Sequence, residues 1–163
     1  MREAEPQTWV FWVHASTATR FEESFRTIAT SLRLPGLNEP NADILEIVYG
    51  SLSDEGHGGW IMIVDNADDC DVLFKTRGGG TQEGTALASR DRSLSEYLPI
   101  SRHGSIVVTS RNQEVVSRLQ VHHEDVLEVR PMEVDVAKEL FLKKLKKEGG
   151  GKSSVEAVVQ LVR

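Results

Sequence analysis

The sequence is poor in cysteine and in long apolar runs, and each shortage excludes a class of protein. A single cysteine, Cys70, among 163 residues rules out an internal disulfide and is typical of a protein of a reducing compartment. No apolar run approaches the roughly 20 residues that cross a bilayer, and the first residues, MREAEPQTW, lack the apolar core of a signal peptide. We therefore expect a cytoplasmic protein with no membrane partner.

Positive charge is also in short supply. The 19 Lys and Arg residues against 25 Asp and Glu residues give a net charge of −6. This balance excludes a general nucleic-acid binder, which presents a basic surface; the lysine-rich run 143–147 belongs to the end of one predicted helix. The 39% of hydrophobic residues is enough for one packed domain.

Short apolar runs alternate with segments of helical period, which predicts an α/β protein with a parallel sheet flanked by helices. The predicted strands are residues 8–15, 60–64, 104–111 and 125–129. The first is apolar on both alternating faces, with Trp9, Phe11 and Val13 on one and Val10 and Trp12 on the other, so we expect helices to cover both faces. The predicted helices are residues 17–34, 41–52, 112–120 and 132–148. Residues 76–93 predict a long loop, and residues 148–163 predict a linker and a further helical segment after a domain of residues 1–147.

Helix caps and buried stripes follow from the same periods. Thr19 and Asn41 are the predicted caps of the first two helices. Their predicted buried residues are Phe21, Phe25, Ile28, Ala29 and Leu32 in the first and Ile44, Leu45 and Val48 in the second. In the last helix, we expect an inward stripe of Val134, Ala137, Leu140, Phe141 and Leu145.

Polar side chains follow two of the predicted strands. Asp65 comes directly after residues 60–64, and Ser110 and Arg111 end the run 104–111. In a parallel sheet, ligands bind beyond the carboxyl ends of the strands. An aspartate at that end can hold Mg²⁺ and an arginine can meet a terminal phosphate. The alternative is that Asp65 only ends a strand and Arg111 is an ordinary surface residue.

Four segments, in order, resemble the NB-ARC domain of signal-transduction ATPases, especially fungal versions joined to tetratricopeptide repeats. FWVHASTATRFEESFRTIA is similar to the segment after the phosphate-binding helix, and WIMIVDNADD resembles the Walker B segment. GSIVVTSRN resembles the first sensor, and MEVDVAKELF resembles the helix that closes the domain. The resemblance covers about residues 8–147 and implies a partial P-loop-NTPase-like sheet. It also implies a signalling or immune-receptor switch that ADP holds closed and that exchange for ATP opens.

The resemblance implies roles for particular residues, with ADP or ATP and Mg²⁺ as cofactors. Asp65 matches the aspartate that positions Mg²⁺, Arg111 matches the sensor arginine that meets the phosphates, and Thr109 and Ser110 line the same site. Asn66 stands where many members carry a second acid that activates water. A neutral amide cannot accept a proton at pH 7, so no catalytic residue is assigned and the sequence leaves hydrolysis open.

The phosphate-binding motif G-x-x-x-x-G-K-[ST] does not occur in the sequence. Its nearest approach, GGGKSS at 149–154, has Lys146 where the motif requires glycine. In the family, the strand before this motif lies between the strands matching 105–109 and 125–129. We expect these two to pair directly or to leave backbone groups unpaired. Nucleotide binding by this chain alone is expected to be weak or absent.

Two alternatives to a nucleotide switch stay open. The chain is either an interaction module, which associates with itself or with full-length NB-ARC proteins through strands 105–109 and 125–129, or a truncated fragment without activity of its own. Other clusters predict no site. The acids at 65, 68, 69 and 71 lack the calcium-loop spacing, and the adjacent His122 and His123 are expected in a solvated turn.

Overall fold

A computed structural model describes residues 8–54, 56, 58–76 and 92–147. The chain divides into two compact units, Met1–Val121 and His122–Arg163. The three strands are β1 (Trp9–His14), β2 (Trp60–Asp65) and β3 (Gly104–Val108). The helices are α1 (Ala18–Ser31), α2 (Ile44–Ser53), α3 (Cys70–Phe74), α4 (Gln113–Arg118) and α5 (Val134–Lys147). 3₁₀ turns span Leu94–Tyr97 and His123–Asp125.

Two sequence predictions fall on residues outside the described part of the chain. Residues 77–91 make up nearly all of the predicted loop 76–93. The linker and helix expected over 148–163 also lie there, so the boundary between domains 1–147 and 148–163 stays a prediction. Within the described ranges, no helix has the length and apolar character needed to span a membrane.

The first unit is built on a parallel sheet, as the alternation of strands and helices predicts. The strand order is β1-β2-β3, and both neighbouring pairs are parallel. Parallel neighbours require crossover connections, which α1 and α2 provide between β1 and β2. Val13 is aligned with Val64, and Val64 with Val108, so the three strands end side by side.

One face of the sheet carries the core of the first unit. Phe11 and Val13 of β1 and Met62 and Val64 of β2 are buried there, in one cluster with the α1 and α2 side chains. The buried α1 residues include Phe21, Phe25, Ile28 and Ala29, and those of α2 include Leu45 and Val48. This confirms the apolar stripes predicted from the helical period, with Leu32 and Ile44 partly buried against the same cluster.

The other face of the sheet is uncovered within the described part of the first unit. We call it the open face; its apolar residues are Val10, Trp12, Ile61, Ile63 and Val107. Val10, Trp12 and Val107 remain 46%, 52% and 51% exposed. The prediction that β1 is covered on both sides is therefore wrong. A continuously apolar strand indicates that burial of both faces would be favourable. It does not show that a helix packs on each face.

The helix caps differ from the predicted ones by two residues. Thr17, rather than Thr19, caps α1 and accepts a hydrogen bond from the Arg20 amide at 3.3 Å. Asp43, rather than Asn41, caps α2 and accepts hydrogen bonds from the amides of Leu45 and Glu46. Each chain segment carries more than one residue with a capping oxygen, and the helical period alone does not choose between them.

The second unit lacks the strand predicted over 125–129. After the 3₁₀ turn His123–Asp125, residues 126–133 form no regular element, and Val126, Leu127 and Val129 are exposed. Because 125–129 forms no strand, the alternative of direct strand pairing with 105–109 lacks its second strand, and the other alternative, unpaired backbone groups, stays a prediction. An extended run becomes a strand only where a neighbour takes its backbone hydrogen bonds.

Helix α5 forms close to its predicted bounds, but its apolar stripe is not buried among the described residues. Val134, Leu140 and Phe141 are 50%, 45% and 39% exposed, and Ala137 is partly buried. The Leu145 side chain, also predicted to point inward, lies outside the described part.

Candidate functional site at the carboxyl end of the sheet

The predicted site residues lie at the same end of two neighbouring strands. Asp65 is the last residue of β2, and Thr109, Ser110 and Arg111 directly follow β3. Because β2 and β3 are parallel with Val64 opposite Val108, their carboxyl ends meet there. The structure therefore brings these four residues together at the carboxyl end of the sheet, which is where open α/β sheets bind ligands.

Beyond the strands, the hydrogen bonding continues between two segments, 65–69 and 109–112, which we call the paired loops. The Thr109 amide donates to the Val64 carbonyl and the Ala67 amide donates to the Thr109 carbonyl, both at 2.9 Å. The Ser110 hydroxyl donates to the Ala67 carbonyl at 2.7 Å, and the Asn112 side-chain amide donates to the Asp68 carbonyl at 3.0 Å. These bonds hold the two loops in a fixed register.

Asp65 is tied to β3 through Thr109. The Thr109 hydroxyl donates to Asp65 Oδ1 at 2.5 Å and accepts from the Asn66 amide at 3.0 Å. A carboxylate has two oxygens with several lone pairs, so this bond orients Asp65 and leaves its second oxygen able to accept a further partner. Thr109 therefore positions the carboxylate in addition to lining the site.

The backbone at Asn66 has a conformation that Asn adopts readily. Its φ of 61° lies in the left-handed region, which costs most residues energy and which Asn, like Asp, tolerates better than most residues with a side chain. The left-handed turn directs the chain out of β2 so that the Ala67 amide reaches Thr109. The left-handed backbone thus gives a structural reason for Asn66 that is independent of hydrolysis.

Arg111 is bound by an aspartate that the sequence reasoning did not assign to the site. The Arg111 amide donates to Asp68 Oδ1 at 2.7 Å. Its side-chain Nε and Nη2 approach Asp68 Oδ2 at 2.7 and 2.6 Å. The backbone and side-chain hydrogen bonds from Arg111 lower the pKa of Asp68 below its ordinary value. Asp68 is therefore a charged partner of Arg111 near neutral pH.

The Asp68 carboxylate and the Arg111 guanidinium differ in their exposure. The Asp68 side chain is 22% exposed, whereas the Arg111 side chain is 85% exposed. The Nε–Nη2 edge of the guanidinium faces the carboxylate and the rest of the group faces solvent. An ion pair between groups so close to water is weaker than a buried one. Arg111 is thus held in place by Asp68 while it remains accessible.

No group of three or more His, Cys, Asp or Glu side chains in the described ranges could hold a metal ion. A cation at Asp65 would take its remaining ligands from water or from a bound phosphate, as Mg²⁺ commonly does. A separate shallow hollow of about 550 Å³ opens beside β1. It is lined by Trp12, His14, Arg20, Glu23, Ser24 and Thr27.

Comparison with known proteins supports a relationship with NLR-type proteins, within which the NB-ARC resemblance falls. Over 117 residues, 72% of its length, the chain is 38% identical to a "Nucleotide-binding leucine-rich repeat (NLR)-like protein" of Hyaloscypha variabilis. The match spans only 11% of that relative's length. No protein-family model matches the chain, and no solved structure matches it.

Proposed function

We propose that this chain is part of a nucleotide-dependent switch domain in an NLR-type signalling protein. The arrangement that carries this proposal is the pair of loops that holds the Asp65 carboxylate and the Arg111 guanidinium at one end of a parallel sheet. The name of that relative, which mentions nucleotide binding, supports it. The role in innate immunity is part of the same proposal. Of the repeats, that name mentions leucine-rich ones, so the tetratricopeptide type stays a prediction.

The described residues fit only one end of a magnesium-bound nucleotide. Asp65 has an oxygen available for Mg²⁺ or for one of its waters, and ADP or ATP would supply phosphate oxygens as further ligands. Arg111 could meet a terminal phosphate. The amides and lysine that cradle the inner phosphates belong to a motif that these 163 residues do not contain. We therefore propose that the chain alone binds nucleotide weakly or not at all.

The proposed switch works through binding, and hydrolysis is not included. Asn66 is a neutral amide and cannot take a proton from an attacking water at pH 7. In the paired loops, Thr109 and Ser110 already donate their hydroxyl protons to Asp65 and to the Ala67 carbonyl. These residues orient and connect the two sides of the site, and the change of state would follow from which nucleotide occupies it.

A titration followed by nuclear magnetic resonance tests this proposal. Mg-ADP should perturb the amides of 65–69 and 109–112 in the labelled full chain, with affinity no tighter than about 1 mM. Asp65→Ala should remove the perturbation, whereas Glu114→Gln, which changes an exposed side chain of α4, should not. Micromolar binding that Asp65→Ala abolishes would contradict weak binding. Perturbations confined to residues far from the paired loops would contradict the location.

Association of two copies through the open face is a second candidate function. Trp12 and Val107 lie in one row across the sheet, each about half exposed, with Ile63 between them. Among the described residues β3 is also an outer strand, paired on one side only, and such strands accept partners. The same surface could serve a full-length NB-ARC protein.

Light scattering after size-exclusion chromatography separates this candidate from the first. We expect a molar mass that rises with protein concentration, and a smaller rise for Trp12→Ser because that change removes the largest exposed ring of the open face. Ser105→Thr, a mild change at the polar end of the same face, serves as the control. A monomer at every concentration, with a cooperative melt, would exclude this candidate.

A further inference from the structure

The contact between Asp68 and Arg111 places a negatively charged carboxylate beside the guanidinium that is proposed to bind a phosphate. Both carboxylate oxygens of Asp68 accept hydrogen bonds from Arg111: Oδ1 accepts from the backbone amide and Oδ2 accepts from the guanidinium. The two residues are 43 positions apart and come from opposite members of the paired loops. A carboxylate and a phosphate are recognised by the same guanidinium fork, so Asp68 occupies the contacts that a phosphate oxygen would use.

The carboxylate of Asp68 is not needed to hold the loops together. Five other hydrogen bonds join them: Ala67 amide to Thr109 carbonyl, Asn66 amide to Thr109 hydroxyl, Thr109 hydroxyl to Asp65 Oδ1, Ser110 hydroxyl to Ala67 carbonyl, and Asn112 side chain to Asp68 carbonyl. None of them uses the Asp68 side chain. A change confined to that side chain should therefore leave the loops in register and alter mainly the charge and contacts of Arg111.

We propose that Asp68 is a built-in competitor that occupies Arg111 until a terminal phosphate displaces it. This rests on the proposed function, because it assigns a regulator to that same site. While the pair is intact, its charges cancel and an arriving phosphate meets no net attraction from Arg111. The contacts that lower the pKa of Asp68 keep the competitor charged near neutral pH. The exposed position of Arg111 lets the guanidinium exchange one anion for the other.

The expected effect follows from removing one unit charge close to the phosphate. Two unit charges about 4–5 Å apart in a water-like dielectric interact enough to change an affinity by about fivefold. Asp68→Asn keeps the size of the side chain and an oxygen for the Arg111 amide, but it carries no charge. We expect this variant to bind Mg-ATP about fivefold more tightly than the natural chain.

Asp69→Asn is the matched control, because it removes the same charge one residue away. Asp69 caps α3 by accepting from the Asp71 amide at 2.8 Å, and Asn caps helices about as well as Asp. Since Asp69 has no contact with Arg111 in the described part of the chain, its replacement should change the Mg-ATP affinity by about twofold or less. The gain of Asp68→Asn should disappear in the double variant Asp68→Asn with Arg111→Gln.

The titration uses the labelled full chain with Mg-ATP and follows the amides of the paired loops. Unchanged or weaker binding by Asp68→Asn would overturn the competitor role, as would an equal gain in Asp69→Asn. Absence of binding in both the natural chain and Asp68→Asn would overturn it too. The proposed function fails separately: perturbations far from Asp65 in the natural chain would reject the site whatever Asp68→Asn does.

A second measurement needs no variant. In the natural chain, saturating Mg-ATP should move the Arg111 Nε–H resonance, because that proton exchanges a carboxylate for a phosphate or for water. An Nε–H resonance that stays unchanged while the neighbouring amides shift would show that Asp68 keeps its hold and would overturn the competitor role, even if Asp68→Asn failed to fold.

Discussion

The pairing of Asp68 with Arg111 should make a measurable and pH-dependent contribution to stability. In Asp68→Asn, the new amide keeps an oxygen near the Arg111 backbone N–H, but its NH₂ group cannot accept from Nε and Nη2, which now lie 2.7 and 2.6 Å from Oδ2. The loss is one ion pair with two charge-assisted hydrogen bonds. Because Arg111 is largely exposed, solvent screening reduces the loss to about 1 kcal/mol at pH 7.

The sign of the pH dependence follows from the lowered pKa of Asp68. A carboxyl group that is more acidic in the folded state stabilises the fold at pH values above its unfolded pKa. That stabilisation is lost as the pH falls through the folded value, which lies below the ordinary 3.8. The gap in unfolding free energy between the natural chain and Asp68→Asn should therefore be constant from neutral pH down to about 4 and shrink below it.

Urea unfolding followed by circular dichroism across this pH range measures the gap. For a unit of roughly 100 residues, a loss of 1 kcal/mol also lowers Tm by about 4–8 °C. Glu114→Gln is the control, because the Glu114–Arg118 pair is exposed and separated by 3.8 Å, so its loss should cost less than about 0.5 kcal/mol. An Asp68→Asn gap that is the same at pH 3 as at pH 7 would show that the charge of the carboxylate is not its source.

Two backbone positions give further predictions for urea unfolding. Gly104→Ala should lower the free energy of unfolding by about 2–3 kcal/mol, because an added Cβ would lie 2.0 Å from the Trp60 ring. A hydrogen bond to the Leu52 carbonyl holds that ring in place. Gly50→Ala, with open space around it, should not destabilise the fold. Asn66→Ala should cost roughly 1 kcal/mol and Asn66→Gly almost nothing, because φ is 61° there. Equal costs within either pair of variants would contradict the reasoning.

The elements set by local period were predictable from the sequence, and those that depend on distant partners were not. The stripe Phe21, Phe25 and Ile28 has the helical period, and burial of one face of α1 follows from it. The run 125–129 has a similar local signal, yet it forms no strand. A local apolar pattern indicates a tendency to be buried. Whether the segment forms a buried strand depends on a neighbouring element that packs or pairs with it.

The open face shows the same limit within a correctly predicted strand. Trp9 to Val13 is apolar at every position, which in parallel sheets usually accompanies cover on both faces. The structure covers only the face that carries Phe11 and Val13 among the described residues. Phe11 and Trp12 are neighbouring apolar residues that point to opposite faces of the sheet. Their apolar character does not show which face has a helix to pack on it.

The Asp68–Arg111 pair could be predicted from the register of two neighbouring parallel strands. Once β2 and β3 are taken as parallel neighbours with Val64 opposite Val108, residues at similar distances past the two strand ends fall opposite each other. Asp68 and Arg111 meet that condition, and so do Asp65 and Thr109. The sequence prediction places only Asp65 in the nucleotide site, because it is the acid nearest the strand. A free arginine and one paired with a carboxylate attract phosphate very differently, so the acids opposite an arginine decide what it can bind.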